Sequence, residues 1–555
     1  LRFGQISEHF VDSVHSVSSE LMFEFEGIFL RNRLNLGDVG KLCGLFECVI
    51  TKKEMPSFDR VRMITSNGAV TISLVHGGLG MIQAVSFGTE NFGHAQLGDL
   101  RRTKRLVDLV DQMCLRPGGT LPQKFRSPAD LQAFYRLMSK ADVTHEAIMA
   151  AHRVATLIRA EEHGDDILVI HDGTELEYTT RRSLTKLGQI GSGKRRGYIV
   201  QNSLAVNART KEVIGLCSQV LHCRQKVRNS ETQSQRMRRK SRESLLWLKG
   251  TESLPAEWKF IDVCDRGADT TEFLQHEMES GRRFVIRSSQ DRCILLGHGP
   301  LEDSEPCKLK PYVTTLEQAG TWTLEVTSKT ELRSPNRKGK KELVKRIKRT
   351  AQMAVAFAPI QIVRSKMRST DQPMKVWVIR VWELDPPAGQ ERLEWTLITN
   401  QPVCNFESAY RVVGWYESRW IIEEFHKGMK TGCRTEDLQF TSEDRLKPAI
   451  AVLSVVTLTL LQLRQASRSP DAKTRKATTI IGSTYVEVLS LWRHKTIKHD
   501  WTVHDFYYAL ARLGGHQNRK NDHPPGWQVL WEGWKELLPM VIGYDVAKRK
   551  YKKCG

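Results

Sequence analysis

The sequence predicts an α/β protein with helical flanks, and three observations carry that reading. Two short apolar runs each end at an acid: ILVI leads through His171 to Asp172, and FIDVC leads to Asp265. Continuous apolar runs of this length, bounded by polar residues, read as central strands buried on both faces. The stretch YESRWIIEEFHKGMK, residues 416–430, has the period of an amphipathic helix. At 100° per residue from Tyr416, Arg419 falls at about −60°, Glu423 at about −20° and Lys430 at about −40°. Ile421, Phe425, Met429 and Ile422 fall between about 140° and 240°, and Glu424 at about 80°, off the polar cluster. Glu423 is therefore the acid that shares a side with two cations and a phenol. Finally, residues 90–113 set Leu106, Leu109, Val110 and Met113 at helical spacing, behind a helix start crowded with Arg101, Arg102, Lys104 and Arg105.

A chain of 555 residues exceeds one compact core, so two to four domains are expected. The formal net charge of +21 points to a polyanionic partner, nucleic acid or an anionic membrane surface. Residues 1–80 hold eight Lys/Arg against nine Asp/Glu, so the whole excess lies beyond them. Eleven cysteines without a CxxC pair fit reduced thiols in a cytosol-like compartment. Cys217, His222 and Cys223 match no zinc spacing. The longest apolar run, residues 449–463, is short for a bilayer and is followed by Arg464, so it reads as a buried core helix.

In chain order, residues 1–84 are read as an extension of unassigned role, upstream of a start at Met81. Residues 85–160 read as a small basic helical domain, with a Gly118-Gly119 stop after its main helix. Basic charge at that helix start opposes the helix dipole and favours an external anion. After the strand to Asp172, residues 197–216 give two strands joined around Asn207-Ala208-Arg209. Lys226–Lys249 reads as a basic helix, and FVIRSS (284–289) as a strand. Residues 300–400 are strand-like and loop-rich, with a very basic stretch from Arg333 to Arg349. A Ser/Arg/Lys-rich linker near residue 470 precedes a helical tail containing the tryptophan-rich LWEGWKELLPMVIGY, an apolar face that suits core or subunit contact.

Two strand-end aspartates and one helical glutamate suit a pair of magnesium ions, which take hard oxygen ligands and keep positions for water and phosphate. Two such ions activate a water or a 3′-hydroxyl and stabilise the leaving oxygen of a phosphodiester, so Asp172, Asp265 and Glu423 indicate a nuclease-like core.

The spacing Y-x2-R-x3-E-x6-K, met at Tyr416, Arg419, Glu423 and Lys430, resembles the signature of the bacterial cut-and-paste DDE transposases of the insertion-sequence-four group, which include the transposon-five transposase. The surrounding RW-x-IEEFHK and KTG agree. ENFGHAQLGD-x-RRTKRLV resembles that family's end-binding domain, HDGTELEY and VCDRGAD its two aspartate motifs, and ARLGG with LWEGW its dimerisation region. The resemblance spans about residues 85 to 545. It departs at Gly173, where the family usually has threonine, and at Gly267, which replaces an acid; residues 1–80 match nothing in it.

The resemblance implies an RNase H-like catalytic domain at 161–466, with a β-rich insertion at about 300–400, between an end-binding domain at 85–160 and a dimerisation domain at 467–555. It implies that Asp172, Asp265 and Glu423 hold two magnesium ions, manganese substituting. Arg287 would lie near the site, Tyr416, Arg419 and Lys430 would hold phosphates, and Trp395 would stack on a flipped base. Arg101, Arg102, Lys104 and Arg105 would contact the terminal inverted repeats. The implied protein is a homodimer in the synaptic complex, on double-stranded transposon-end and target DNA, in the bacterial cytoplasm at the nucleoid and off the membrane. An RNase H-like nuclease or resolvase, and a catalytically inactive DNA-binding inhibitor of transposition, are the alternatives.

Overall fold

The computed structural model describes four strands within the first 85 residues and, from Ser86 on, the chain except residues 126, 228–229, 256–257, 259, 300–304, 334–341, 364–371, 520–521 and 553–555. The chain forms two compact units: Leu1–Ser86 with Glu161–Gly164, and Phe87–Ala160 with Asp165–Gly555. In the first, β1 (Glu20–Phe25), β2 (Ile28–Arg33), β3 (Val61–Thr65) and β4 (Gly68–Ile72) form an antiparallel sheet in the order β2-β1-β3-β4. The start at Met81 and the middle of the basic stretch, 334–341, lie outside the described residues.

The second unit opens with helices α1 (Phe87–Phe92), α2 (Leu100–Leu115), α3 (Pro128–Met138) and α4 (His145–Glu162). Helix α2 starts where the sequence predicts a helix, with Leu106, Leu109, Val110 and Met113 all buried. Its cap is Asp99, whose carboxylate accepts the Arg101 N–H at 2.8 Å. The anion demanded by the basic helix start is thus supplied by the chain itself. The Gly-Gly stop has a packing reason, since a Cβ on Gly118 would come within 2.1 Å of the Trp531 indole.

A twelve-stranded mixed sheet fills the middle of the unit. Its first strands are β5 (Ile167–Glu177), β6 (Gly188–Gln189), β7 (Arg196–Asn207), β8 (Val213–His222), β9 (Phe260–Cys264) and β10 (Arg283–Arg287). They are followed by β11 (Cys293–Leu296), β12 (Cys307–Lys308), β13 (Gly320–Val326), and the separate hairpin of β14 (Lys329–Arg333) and β15 (Glu342–Arg346). The last are β16 (Arg349–Val363), β17 (Met374–Glu383) and β18 (Glu394–Thr399). The sheet order is β12-β11-β16-β17-β18-β10-β9-β5-β7-β6, with β13 on β16 and β8 on β7. Strands β5, β9 and β10 are parallel, joined between β9 and β10 by α5 (Thr271–Glu279), while β7 and β8 run antiparallel beside β5.

Two expectations of local pattern do not hold. Strand β5 does not stop at Asp172 but runs on to Glu177, because β7 pairs with it along its full length. The basic helix expected over Lys226–Lys249 is two short helices, Gln233–Arg238 and Leu246–Thr251, with a 3-10 turn between; its run of exposed charges has too little apolar face to hold a longer one. In the β-rich region, β16–β18 continue the main sheet through the antiparallel pairing of β18 with β10.

Helices α6 (Phe406–Glu417), α7 (Trp420–Lys427) and α8 (Glu443–Arg468) follow. The expected single helix from Tyr416 to Lys430 is broken. It ends at Glu417, where the Ser418 hydroxyl bonds back to the Gly414 carbonyl, resumes at Trp420, and loosens into a π turn over Gly428–Gly432. Helix α8 is long and apolar enough to cross a membrane by length and composition, yet every residue from Ala449 to Leu458 is buried inside the protein. An all-round apolar helix of that kind is a core helix. Helices α9 (Ser483–His494), α10 (Val503–Leu513) and α11 (Trp527–Lys552) close the chain. The aromatic residues Trp527 and Trp531 of α11 are core, while Met540, Ile542 and Val546 are exposed.

Candidate active site

The acids come together through strand register. In the parallel pair, Ile167 to His171 of β5 match Phe260 to Cys264 of β9, so Asp172 and Asp265 are the next residues of two adjacent strands. Asp172 Oδ1 accepts its neighbour's amide, Gly173 N–H, at 2.9 Å. Asp265 caps a short turn, its Oδ1 accepting the Gly267 N–H at 2.7 Å. Both sequence departures therefore lie in the backbone that orients an acid, and Gly267 is the tighter: a Cβ there would come 2.8 Å from the Trp247 ring.

Arg419 joins the third acid to the first. Its guanidinium donates to Asp172 Oδ2 at 3.2 Å and forms a short ion pair with Glu423. Glu424 points elsewhere and pairs with the buried Arg464 of α8. The Asp172 side chain is only 18% exposed, against 57% for Glu423. Burial pushes the Asp172 carboxyl up to about 6; Arg419 opposes the rise, and the charges of Asp265 and Glu423 add to it. A largely desolvated acid beside two like charges calls for cations, and Arg419 is the one paired with it. Among the described residues no three acid, histidine or cysteine side chains are close enough to hold a metal ion. The donor chemistry of the set nevertheless suits a hard cation.

The remaining expected residues are placed unevenly. Tyr416 lies beside Arg287 and Arg419, its phenol pushed up by burial against the pull of both cations. Arg287 also donates to the Glu394 carbonyl at 3.3 Å. Lys430 sits in the π turn, near enough to His426 and Glu177 to affect their titration. Trp395 is half-buried on β18 opposite Val381, its indole N–H without an acceptor. In the basic domain Arg102 is used internally, donating to the Leu97 carbonyl at 2.8 Å and to Asp142 at 2.6 Å. Arg101 is paired with Asp99 yet 90% exposed, and Lys104 and Arg105 are exposed.

Beneath the acids lies a buried polar layer that the motifs did not reveal. His171 Nε2 meets Asp262 at 2.7 Å and its Nδ1 meets the Ser203 hydroxyl at 2.8 Å; Asp262 also accepts from Arg282 at 2.8 Å. This Ser-His-Asp line has the composition of a nucleophilic triad, but all three side chains are fully buried, so it ties β7, β5 and β9 together instead. Burial favours a neutral Asp262, but Arg282 and His171 hold its carboxyl below the ordinary range. On the other side of β5, Asn202, opposite Asp172 in the register, donates to His426 of α7 at 3.1 Å and accepts from Gln219 at 2.8 Å. The available signal was polar residues inside an otherwise apolar strand, QNS in IVQNSLAV. Trp420 was also missed: it is 43% exposed between Arg419 and Glu423, with the Arg464 guanidinium 4.7 Å from its ring centre.

Fold and site together define a mixed α/β protein with aspartates of two adjacent strands and a helical glutamate that one arginine ties to the first of them. Residues 84–143, which include α1 to α3, match the transposase DNA-binding family. The chain thus carries a transposase DNA-binding domain, which supports a transposase with DNA as its partner.

Proposed function

We propose that the chain is a DDE transposase of the cut-and-paste type, binding terminal inverted repeats and cutting, hairpinning and joining DNA ends. The observation that carries it is the parallel register that sets Asp172 beside Asp265, with Glu423 tied to Asp172 by Arg419, in a chain with a transposase DNA-binding domain. The sheet order β8-β7-β5-β9-β10, antiparallel on one side of β5 and parallel on the other, supports an RNase H-like core.

Asp172, Asp265 and Glu423 would hold two magnesium ions, manganese substituting, which when bound would activate a water or 3′-hydroxyl and stabilise the leaving oxygen. Arg419 keeps Glu423 and Asp172 in reach of one another and presents a forked donor to a scissile phosphate. Tyr416 and Arg287 would add a hydroxyl and a second cation, and Lys430 a third. Trp395 would stack on a flipped base, and the exposed indole of Trp420 gives a second aromatic surface beside the acids. Water would nick one strand, the freed 3′-hydroxyl would close a hairpin on the other, water would reopen it, and the 3′-hydroxyl would then attack target DNA. Two copies would synapse the ends through the C-terminal helices.

The test is Asp172→Ala on an end-bearing duplex with magnesium. Cleavage is expected to vanish while mobility-shift binding of the end stays within about threefold; retained cleavage would falsify the role of Asp172.

A further inference from the structure

An exposed basic segment of the C-terminal helical region, residues 472–477, is fastened alongside residues 501–504. Ala477 N–H donates to the Trp501 carbonyl at 2.8 Å, Val503 N–H to the Arg475 carbonyl at 2.8 Å and His504 N–H to the Ala472 carbonyl at 2.7 Å. Lys476 also bridges to Thr502. The same Trp501 meets the His494 ring edge-on, 5.6 Å between centres, which brings in the end of α9. The first segment presents Lys473, Arg475 and Lys476, and the end of α9 with the residues after it presents Arg493, Lys495 and Lys498, all exposed.

The acids within residues 471–476 and 493–500 are Asp471 and Asp500, and Asp505 stands beside the Thr502 that bridges to Lys476. Arg475 is held by Asp471 at 3.6 Å and by Thr479. Unlike Arg195 and Arg209, which are exposed but paired with Glu177 and Asp165, the other five cations have no side-chain partner among the described residues. The end of α9 accounts for Arg493 and Lys495, which complement the helix dipole. It does not account for Lys473, Lys476 and Lys498, which lie outside helices. Unmatched like charges repel one another, and a phosphate backbone relieves that repulsion.

We propose that this face is a second duplex-DNA contact, gripping phosphates without reading bases and separate from the transposase DNA-binding domain. Four of its six cations are lysines in loops or at a helix end, point charges suited to phosphate rather than to forked recognition of base edges. Which duplex it holds, target DNA or donor DNA beyond the cut end, rests on the transposase reading.

The test uses the full chain carrying Lys473→Gln, Lys476→Gln, Arg493→Gln, Lys495→Asn and Lys498→Gln, with fluorescence anisotropy on a random-sequence duplex lacking any terminal repeat. Affinity is expected to fall at least about tenfold at 0.1 M salt, and the salt slope by about 4, each lost phosphate contact contributing about 0.9. A variant with Lys473→Arg, Lys476→Arg and Lys498→Arg should keep wild-type binding, which separates lost charge from lost fold. Unchanged affinity and slope in the first variant, or lost binding in the second, overturns the proposal. Nicking of a pre-bound end should persist in the first variant. Loss of insertion into plasmid then marks target DNA, and loss of affinity only for ends bearing flanking DNA marks the donor. If the wild type cleaves nothing, the transposase reading fails, yet the random-duplex comparison still decides this surface.

Discussion

Arg419 holds two of the three acids at once, and that double role is testable because no other cation has its shape. A lysine in its place can reach one carboxylate but not fork between two. Losing one charge-assisted hydrogen bond costs about 1.5–3 kcal/mol. Arg419→Lys is therefore expected to slow end cleavage about ten- to a hundredfold with end binding intact, and an unchanged rate would remove Arg419 from the site. The adjacent glutamates should separate cleanly. Glu423→Gln should abolish cleavage without lowering the melting temperature. Glu424→Gln should retain cleavage but cost about 1–3 kcal/mol of stability in denaturant titration, because it strips the partner from buried Arg464. His152 carries a pH expectation. Its Nε2 accepts the Leu216 N–H at 3.0 Å while Nδ1 faces Asn91 at 2.8 Å, so both ring nitrogens are used by the neutral ring. Burial, with the charge of Arg159 adding, holds it well below the ordinary imidazole range. The unfolded chain thus takes up the proton first, and stability falls as pH drops below about 6.5, by up to about 1.4 kcal/mol per pH unit for this one group. His152→Gln should flatten that fall in urea titrations between pH 7.5 and 5.5, and an equal slope in both proteins would contradict the assignment.

At the scale of elements, what the sequence makes legible is what short-range pattern encodes. The runs before Asp172 and Asp265 read as strands because they are short, rich in β-branched residues and bounded by polar ones, whereas the apolar run of α8 is long enough for a helix, and α2 shows its buried face at its own period. The break at Ser418 is hidden, since Ser418 is a tolerable helix residue and only its back-bond to Gly414 marks the end. The merger of β16–β18 with the main sheet is hidden too, because pairing of Arg287 with Leu397 is a contact across more than a hundred residues that no local window contains. The site is legible as chemistry, three acids and their cations, but the buried His171, Asp262 and Asn202 beneath it are not, since their partners lie on other strands and helices far away in the sequence. The tail packs by close approach: a Cβ on Gly533 of α11 would stand 1.9 Å from the Leu510 carbonyl of α10. Gly533→Ala is expected to destabilise the chain by about 1–3 kcal/mol, and an unchanged unfolding midpoint would show that these helices do not cross so tightly.

At the scale of the molecule, the charge excess is spent unevenly. Arg102 of the basic domain serves the fold through Leu97 and Asp142, leaving Lys104 and Arg105 exposed toward solvent, and unmatched cations recur near α9. Binding should accordingly weaken steeply with salt. Net charge and a DNA-binding domain are shared by a transposase, a resolvase and an inactive binder, so only the products distinguish them. The most direct measurement incubates the purified chain with magnesium, a labelled duplex ending in the element's terminal repeat, and a target plasmid, and resolves the products on denaturing and native gels. Hairpinned ends followed by their joining to plasmid are expected. Nicked ends that never close into hairpins or join the plasmid, or bound ends that are never cut, would contradict the transposase reading.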